Sequence, residues 1–272
     1  MLDYFDLIVG SSTGGIIALA LGLEIPAPKI VAFYTEHGPA IFKGSAPKKV
    51  RIDRAALADA VNKVFGKSRR LRDSKALLAI PATHSKKHKP HTFKTRHREE
   101  LTRDENVTAL EVVLSTTAVP FVLPEYRVDK EALLDGGMWA SNPVAFAVVE
   151  AANLKWWPGE DVRILSLGCT RSRIDVDWNA WAPKRFRQRH QLIDAFLAIQ
   201  SAAAVTMAKN LLDDNHRILR IDPFLKKPCG LGDVSQIETL REAGAVFAKR
   251  KLSRIEERFF SGEHRRPSQL FA

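Results

Sequence analysis

The chain has 272 residues, 45% of them hydrophobic, and its 42 Lys and Arg against 31 Asp and Glu leave a formal net charge of +11. This length and apolar content are enough to bury a full core as one large domain, or less readily as two small ones. Apolar runs such as Ile16 to Leu23 fall short of the roughly 20 residues that span a bilayer, and no charged and then apolar leader opens the chain. We therefore expect a soluble, cytoplasmic protein.

In chain order, strand-like and helix-like patterns alternate, which predicts an α/β sandwich. Strands are expected where short apolar runs end at turn residues: Phe5 to Val9, Ala76 to Thr83, Glu125 to Val128, Ala132 to Leu134, residues 161–168 and Arg217 to Ile221. Helices are expected where apolar residues recur at helical spacing between caps, glycines and prolines: Ile16 to Leu23, Pro28 to Gly38, Asp53 to Gly66, Thr108 to a point before Pro120, Pro143 through Leu154, His190 to Leu212, and about 234–260.

Residues 6–15, DLIVGSSTGG, place small residues and glycines between two apolar runs. A Walker-type phosphate loop needs Lys and then Ser or Thr after its second glycine, but Ile16 and Ile17 follow Gly15. A dinucleotide fingerprint would need a glycine at Ser12, where any side chain blocks approach of the pyrophosphate. The segment therefore lacks the residues that either kind of phosphate-binding loop requires.

The same residues fit G-x-S-x-G, with Gly10, Ser12 and Gly14 between a strand and a helix, which is the setting of a nucleophile elbow. The helix N-terminus would supply backbone N–H groups and a positive dipole for developing negative charge. Ser12 is the candidate nucleophile. The alternative is a Gly/Ser turn without chemistry.

A serine hydroxyl near neutral pH needs a base to take its proton. None of the eight histidines stands alone beyond a predicted strand end, as the histidine of a hydrolase triad does. Asp135 follows a short apolar strand, and Gly136 and Gly137 after it allow a sharp turn that leaves the carboxylate exposed at the strand end. Asp135 is thus a plausible base, and an ordinary Asp-Gly hairpin turn is the alternative.

Two segments concentrate the positive charge, His84 to Arg98 and Lys249 to Arg266. Pro90 and the mixed His and Lys content of the first predict a hairpin tip or loop, and its histidines lack the helical i, i+4 spacing of a metalloprotease. Leu252, Ile255 and Phe259 in the second predict an amphipathic surface helix. Cys169 and Cys229 have no metal or disulfide spacing, which agrees with a reducing compartment, and no metal is assigned.

The order of the motifs is more specific than any one of them. G-x-S-x-G on an opening strand and helix, then STTAVPFVLPEY, then D-G-G followed by S-N-P, and then ILSLGCT resembles the patatin-like phospholipase family, over about residues 3–223. The resemblance implies a three-layer α/β/α fold with a central, mostly parallel sheet, here a single domain over 1–272. It also implies a dyad without histidine, in which Ser12 is the nucleophile and Asp135 the general base. The expected motif and oxyanion support comes from Gly10, Thr13, Gly14, Gly136 and Gly137.

The family resemblance further implies hydrolysis of phospholipids or related acyl lipids, with no cofactor. The positive charge suits an anionic bilayer, so peripheral membrane contact is possible. Trp178 and Trp181 are candidate interfacial residues, and packing or loop anchoring is the alternative for them. No recognised nucleic-acid motif accompanies the charge, so no nucleic acid is expected.

The chain departs from the family pattern before the elbow. Members carry a glycine-rich loop there, after a preceding strand, and its N–H groups help to form the oxyanion hole. The nine residues before Gly10 contain no such loop. We therefore expect the first strand and loop to be missing, with the Thr13 N–H as a remaining donor and an unpaired sheet edge. The alternative to an active hydrolase is an N-terminally incomplete or catalytically dead module that binds lipid or protein.

Overall fold

The computed structural model describes residues 2–43, 51–154, 162–170, 174, 176, 186–213, 216–225, 229–230 and 232–261. The chain divides into two compact units, Met1–Trp139 with Gly230–Ala272, and Ala140–Cys229. The single domain over 1–272 stays a prediction. Trp178 and Trp181 lie outside the described residues.

The described residues contain helices and strands throughout both units. The strands are β1 Leu7–Val9, β2 Phe42–Lys43, β3 Arg51–Ile52, β4 Leu77–His84, β5 Lys89–Lys94, β6 Tyr126–Val128, β7 Glu131–Asp135, β8 Ile164–Leu167 and β9 Ile218–Ile221. The α-helices are α1 Thr13–Gly22, α2 Ala27–Ile41, α3 Arg54–Phe65, α4 Ala109–Thr116, α5 Gly137–Ala140, α6 Val144–Asn153, α7 Phe186–Leu212 and α8 Ile237–Ile255. Short 3-10 turns cover Leu2–Tyr4, Leu71–Asp73 and Val234–Gln236, and a π-helical turn covers Glu256–Phe260.

Strand β4 is the template on which the larger sheet is built. Strand β5 pairs along one edge of β4, antiparallel, from Ala79 to His84. On the opposite edge β1 pairs parallel with residues 77–79, and β7 pairs antiparallel with residues 82–84. The last residues of β1 and β7 therefore approach each other end to end, near Pro81. Because proline has no N–H, the strand leaves no unpaired donor of its own at this gap.

The core of the larger unit lies between this sheet and four helices. Helices α1 and α4 pack on β4, α3 packs on α4, and α2 packs on α3. The side chains that fill this core are nearly or fully buried and include Leu19, Leu78, Ile80, Phe93, Val112 and Leu133. Burying side chains of this size contributes roughly 1.5–3 kcal/mol each before conformational entropy is subtracted. This packing holds β4, and with it the ends of β1 and β7, in place.

The smaller unit has its own sheet and core. Strands β8 and β9 pair parallel over four residues. A second apolar cluster joins α6 and α7 to this sheet through Val144, Val148, Ala208, Leu212 and Ile218. Within α7, the 21 residues of Leu192–Leu212 are long and apolar enough to cross a membrane by length and composition, and little of this stretch is buried. In the sequence, polar residues such as Asp194, Gln200 and Lys209 interrupt this apolar run, so it predicted only a helix.

The α/β class predicted from the sequence is confirmed. Caps account for several element boundaries: the Asp53 side chain accepts the Ala56 N–H at 3.1 Å, and Thr108 and Glu111 form the expected capping box at the start of α4. In the part of the chain that the structure describes, β1–β4 and β8–β9 are parallel, whereas the β4–β5, β4–β7 and β6–β7 pairs are antiparallel. Short hairpin connections impose the antiparallel pairing of β4 with β5 and of β6 with β7.

The predicted end of the second helix at Gly38 is wrong, because α2 continues through Gly38 and Pro39 to Ile41. Gly38 is buried, and a Cβ there would lie 3.2 Å from the Ile237 side chain at the start of α8. Gly38 therefore allows close packing between two helices. In the sequence alone, a glycine with this tertiary role looks the same as one that ends a helix.

Both basic segments adopt the predicted local structure where they are described. The first forms the β4–β5 hairpin, with its tip between His84 and Lys89. The second continues α8 into the π-helical turn, where the Phe260 ring packs 4.6 Å from Tyr4 and the Phe259 ring 6.0 Å from Phe5. The end of this helix is thus tied to the segment that enters β1.

Candidate active site

Ser12 lies in the tight turn between β1 and α1. Its backbone has φ 56° and ψ −124°, a conformation that an L-residue adopts only under constraint. A Cβ on Gly10 would lie 2.1 Å from the carbonyl oxygen of Gly14, so this close approach admits only glycine. By contrast, a Cβ on Gly14 would meet nothing within 4 Å. The first glycine of the motif is therefore required by the turn, while packing does not require the second.

Asp135, the last residue of β7, faces Ser12 across the gap at Pro81. The Ser12 hydroxyl donates a hydrogen bond to Asp135 Oδ2 at 2.6 Å. The other carboxylate oxygen, Oδ1, accepts the backbone N–H of Gly137 at 2.6 Å. A Cβ on Gly136 would lie 2.3 Å from the Pro81 carbonyl oxygen, so only glycine lets the chain turn this closely against β4. The D-G-G motif thus orients the carboxylate as well as terminating the strand.

Thr116 connects the two halves of this pair. Its hydroxyl accepts the Ser12 N–H at 3.0 Å and donates to the Pro81 carbonyl at 2.7 Å. Its own carbonyl accepts the Gly136 N–H at 3.4 Å. Thr116 is fully buried at the C-terminal end of α4. Through its hydroxyl and its carbonyl, this one residue therefore links the nucleophile turn, the central strand and the aspartate turn.

Burial controls the protonation of Asp135. Only 4% of its surface is exposed, and loss of hydration raises the pKa of this carboxyl from 3.8 to about 6, despite the opposing hydrogen bonds from Ser12 and Gly137. A carboxylate with a raised pKa accepts a proton more readily than an ordinary aspartate and is still ionised at neutral pH. The electrostatics therefore fit a general base.

The N-terminus of α1 offers a place for negative charge. Thr13 is the first residue of this helix, so its N–H has no acceptor inside the helix. The helix dipole adds partial positive charge at the same point. The Tyr34 hydroxyl on α2 donates to the Thr13 carbonyl at 2.9 Å, and burial raises the pKa of Tyr34, so it stays a donor. This contact holds the Thr13–Gly14 peptide in place, next to the Thr13 N–H.

Residues 1–148 match the family model described as patatin-like phospholipase. The chain belongs to the patatin-like phospholipase family. Its relatives include proteins named cGAMP-activated phospholipase in Pseudomonas aeruginosa (29% identical over 79% of this chain and 67% of the relative) and Vibrio cholerae (30% over 67% and 57%). Patatin-like protein 4 of Arabidopsis thaliana is 30% identical over 53% of this chain and 41% of its own length. The chain thus spans about two thirds or less of these relatives.

Of the site residues expected for a patatin-like phospholipase, the structure brings together Ser12, Asp135 and the backbone N–H of Gly137. The close approaches of Gly10 and Gly136 account for two glycines of the motifs, and Thr13 lies at the start of α1. Gly14 has no steric role here. The catalytic roles of these residues stay predictions, as does the missing upstream strand. Among the described residues, β1 pairs with β4 alone.

Sequence reasoning missed Thr116, although it lies in the STTAVPFVLPEY segment that supported the family resemblance. A threonine near a helix C-terminus has no distinctive spacing to the serine motif, because it lies 104 positions from Ser12. The match of the whole segment to the patatin-like family was the available signal, and it did not single out this residue.

A separate, open pocket of about 310 Å³ lies beside the first basic segment, lined in part by His84, His91, Arg103 and Asp104. Burial lowers the pKa of His91 to about 4, so this histidine is neutral at physiological pH. In the described residues, no hydrogen bond joins a histidine to Ser12, and no cluster of three or more His, Cys, Asp or Glu side chains could hold a metal. Ser12 and Asp135 therefore remain the candidate catalytic pair in the part of the chain that the structure describes.

Proposed function

We propose that this chain is a serine acyl hydrolase that releases fatty acids from phospholipids or related acyl lipids. The observation that carries the proposal is the 2.6 Å hydrogen bond from Ser12 Oγ to a buried carboxylate whose pKa is raised to about 6. Membership of the patatin-like phospholipase family and the names of the bacterial relatives support the lipid substrate. The net charge of +11 supports contact with an anionic bilayer.

The first half of the mechanism forms an acyl-enzyme. Asp135 Oδ2 takes the proton of the Ser12 hydroxyl as Oγ attacks the ester carbonyl. The negative charge that develops on the carbonyl oxygen is stabilised by the Thr13 N–H and the positive end of α1. Collapse of the tetrahedral intermediate breaks the ester bond, and the proton held by Asp135 passes to the leaving alcohol.

The second half of the mechanism releases the fatty acid. Asp135 takes a proton from a water molecule while the water oxygen attacks the acyl-serine carbonyl. The Thr13 N–H again stabilises the tetrahedral intermediate. The proton then returns to Ser12 Oγ as the fatty acid leaves. The Gly137 N–H keeps the carboxylate oriented through both halves, because it binds the oxygen that does not carry the proton.

The decisive experiment is labelling with a fluorophosphonate, which reacts with activated serines, followed by mapping of the modified peptide by mass spectrometry. Ser12→Ala should abolish labelling. Ser11→Ala is the matched control, because the Ser11 hydroxyl is buried without a hydrogen-bond partner among the described residues. Asp135→Asn should lower labelling by at least about 100-fold, since the serine loses its base.

The same labelling separates the alternatives. The relatives from Pseudomonas aeruginosa and Vibrio cholerae are named for activation by cGAMP, so the reaction is run with and without this nucleotide. Labelling only with cGAMP would indicate a hydrolase that requires an activator. A folded chain that remains unlabelled in both conditions would contradict the proposal and favour a lipid- or protein-binding module.

A further inference from the structure

Phe121, in the loop between α4 and β6, combines two unfavourable features. Its side chain is as exposed as in an extended chain, at 104%, and its backbone φ is +68°. Full exposure forgoes the apolar burial that usually stabilises a phenylalanine. A positive φ is rare for a bulky residue and persists only where surrounding structure imposes it. The fold therefore holds this ring in solvent at a cost in stability.

Contacts on both sides of Phe121 impose this conformation. The Val119 carbonyl accepts the N–H of Val122 at 3.1 Å and of Leu123 at 2.8 Å, which closes a tight turn around position 121. Leu123 is 4% exposed and anchors the far side of the turn in the protein. The ring is thus presented by a closed turn with a buried anchor.

The turn is attached directly to the candidate active site. The Ala118 carbonyl accepts the backbone N–H of Asp135 at 3.0 Å. Phe121 is three residues from this contact and five residues from Thr116, which binds the Ser12 N–H. The position of the ring is therefore coupled to the dyad through a short and hydrogen-bonded stretch of backbone.

The other two elements that build the site also carry an exposed apolar side chain. Ile17 on α1, five residues after Ser12, is 41% exposed. Met138 on α5, three residues after Asp135, is 55% exposed. Each of the three elements that contribute a contact to the dyad thus presents a large apolar group to solvent.

We propose that Phe121 is a membrane-docking residue, which inserts between lipids beside the dyad and brings the active site to the depth of the acyl ester bonds. The inference rests on the proposed function, because a lipid hydrolase must reach esters at the boundary between head groups and acyl chains. An aromatic ring is suited to that boundary, and the net charge of +11 over the whole chain favours an anionic bilayer as the surface.

The test is co-sedimentation with vesicles of equal parts phosphatidylcholine and phosphatidylglycerol, in a Ser12→Ala background where no turnover occurs. Phe121→Asn removes the ring and supplies a residue that readily adopts positive φ. We expect about tenfold weaker partitioning, an unchanged or higher melting temperature, and persistence of the difference at high salt. Phe121→Trp should bind as the parent does.

Leu252→Asn is the matched control, since Leu252 is 48% exposed on α8 and is expected to leave partitioning within about twofold of the parent. Parent-like vesicle binding by Phe121→Asn would overturn the proposal. An equal loss of vesicle binding in Leu252→Asn, or a lower melting temperature of Phe121→Asn, would also overturn it. A change from dimer to monomer in light scattering of Phe121→Asn would overturn it too, because the ring would then contact a second copy of the chain. Vesicle binding is measured without turnover, so it does not depend on the reactivity of Ser12. Failure of fluorophosphonate to label Ser12 would therefore contradict the proposed hydrolase activity but not the measured role of Phe121 in binding.

Discussion

Ser12 Oγ donates a hydrogen bond to Asp135 Oδ2 at 2.6 Å, although the two residues are 123 positions apart in the chain. The contact exists because β1 and β7 share one edge of β4 and end on either side of Pro81. Each strand ends in a glycine-containing turn that projects one reactive side chain toward the gap. The arrangement makes four further predictions about stability and activity.

The first prediction concerns the stability cost of Asp135. Its folded pKa of about 6 lies above the ordinary 3.8, so the folded state binds the proton more tightly than the unfolded state. Stability therefore falls as the pH rises from about 4 to about 6, and the full cost of about 3 kcal/mol is present above that window. Asp135→Asn should raise the free energy of unfolding by up to that amount at about pH 7.5, and by less at about pH 4.5. Urea denaturation at both pH values measures this gain in the free energy of unfolding. A gain of equal size at the lower pH would contradict its attribution to the buried, ionised carboxylate.

The second prediction concerns the pH dependence of the reaction. Only ionised Asp135 can accept the serine proton, so fluorophosphonate reactivity should rise about tenfold per pH unit below the pKa and level off above about pH 6. The rate constant for labelling of Ser12, measured across this range, gives the inflection directly. An inflection near pH 4 would mean that the carboxyl is hydrated in solution.

The third prediction concerns Thr116. Thr116→Val keeps the shape of the side chain but leaves the Ser12 N–H and the Pro81 carbonyl without their buried partner. We expect a loss of about 1–3 kcal/mol in unfolding free energy and slower labelling of Ser12, because the nucleophile turn loses its support.

The neighbouring Thr117→Val is the control for this substitution. The Thr117 hydroxyl bonds the Val113 carbonyl, which also accepts the Thr117 N–H, so no backbone group is left unpaired. Its effect should stay below about 1 kcal/mol, with labelling unchanged. Equal effects of the two valines would refute a specific role for Thr116.

The fourth prediction separates the two glycines of G-x-S-x-G. Gly10→Ala should displace the turn, because its Cβ would meet the Gly14 carbonyl oxygen at 2.1 Å, and a shift of about 1 Å in the nucleophile can lower the rate about 100-fold. Gly14→Ala meets open space and should keep or slightly raise the melting temperature, since alanine favours a helix. Labelling rates and thermal melts of both variants provide the comparison.

The sequence by itself determined the local structure and the chemistry of the candidate residues. Caps at Asp53 and Thr108, apolar periodicity and the two glycine motifs are local features, because each depends on residues within a few positions of one another. They were sufficient to place most helices and strands and to make Ser12 and Asp135 candidates, whereas the pairing of the two residues was implied by the resemblance to the patatin-like phospholipase family.

The tertiary structure alone decided which distant groups meet and in what environment. Thr116 reaches Ser12 across 104 positions, and Gly38 packs against a helix almost 200 positions away, so neither role leaves a local pattern. The raised pKa of Asp135 and the exposure of Phe121 are likewise consequences of what surrounds each side chain. Burial and long-range packing arise only when the strands assemble around β4, and for that physical reason the sequence pattern could not supply them.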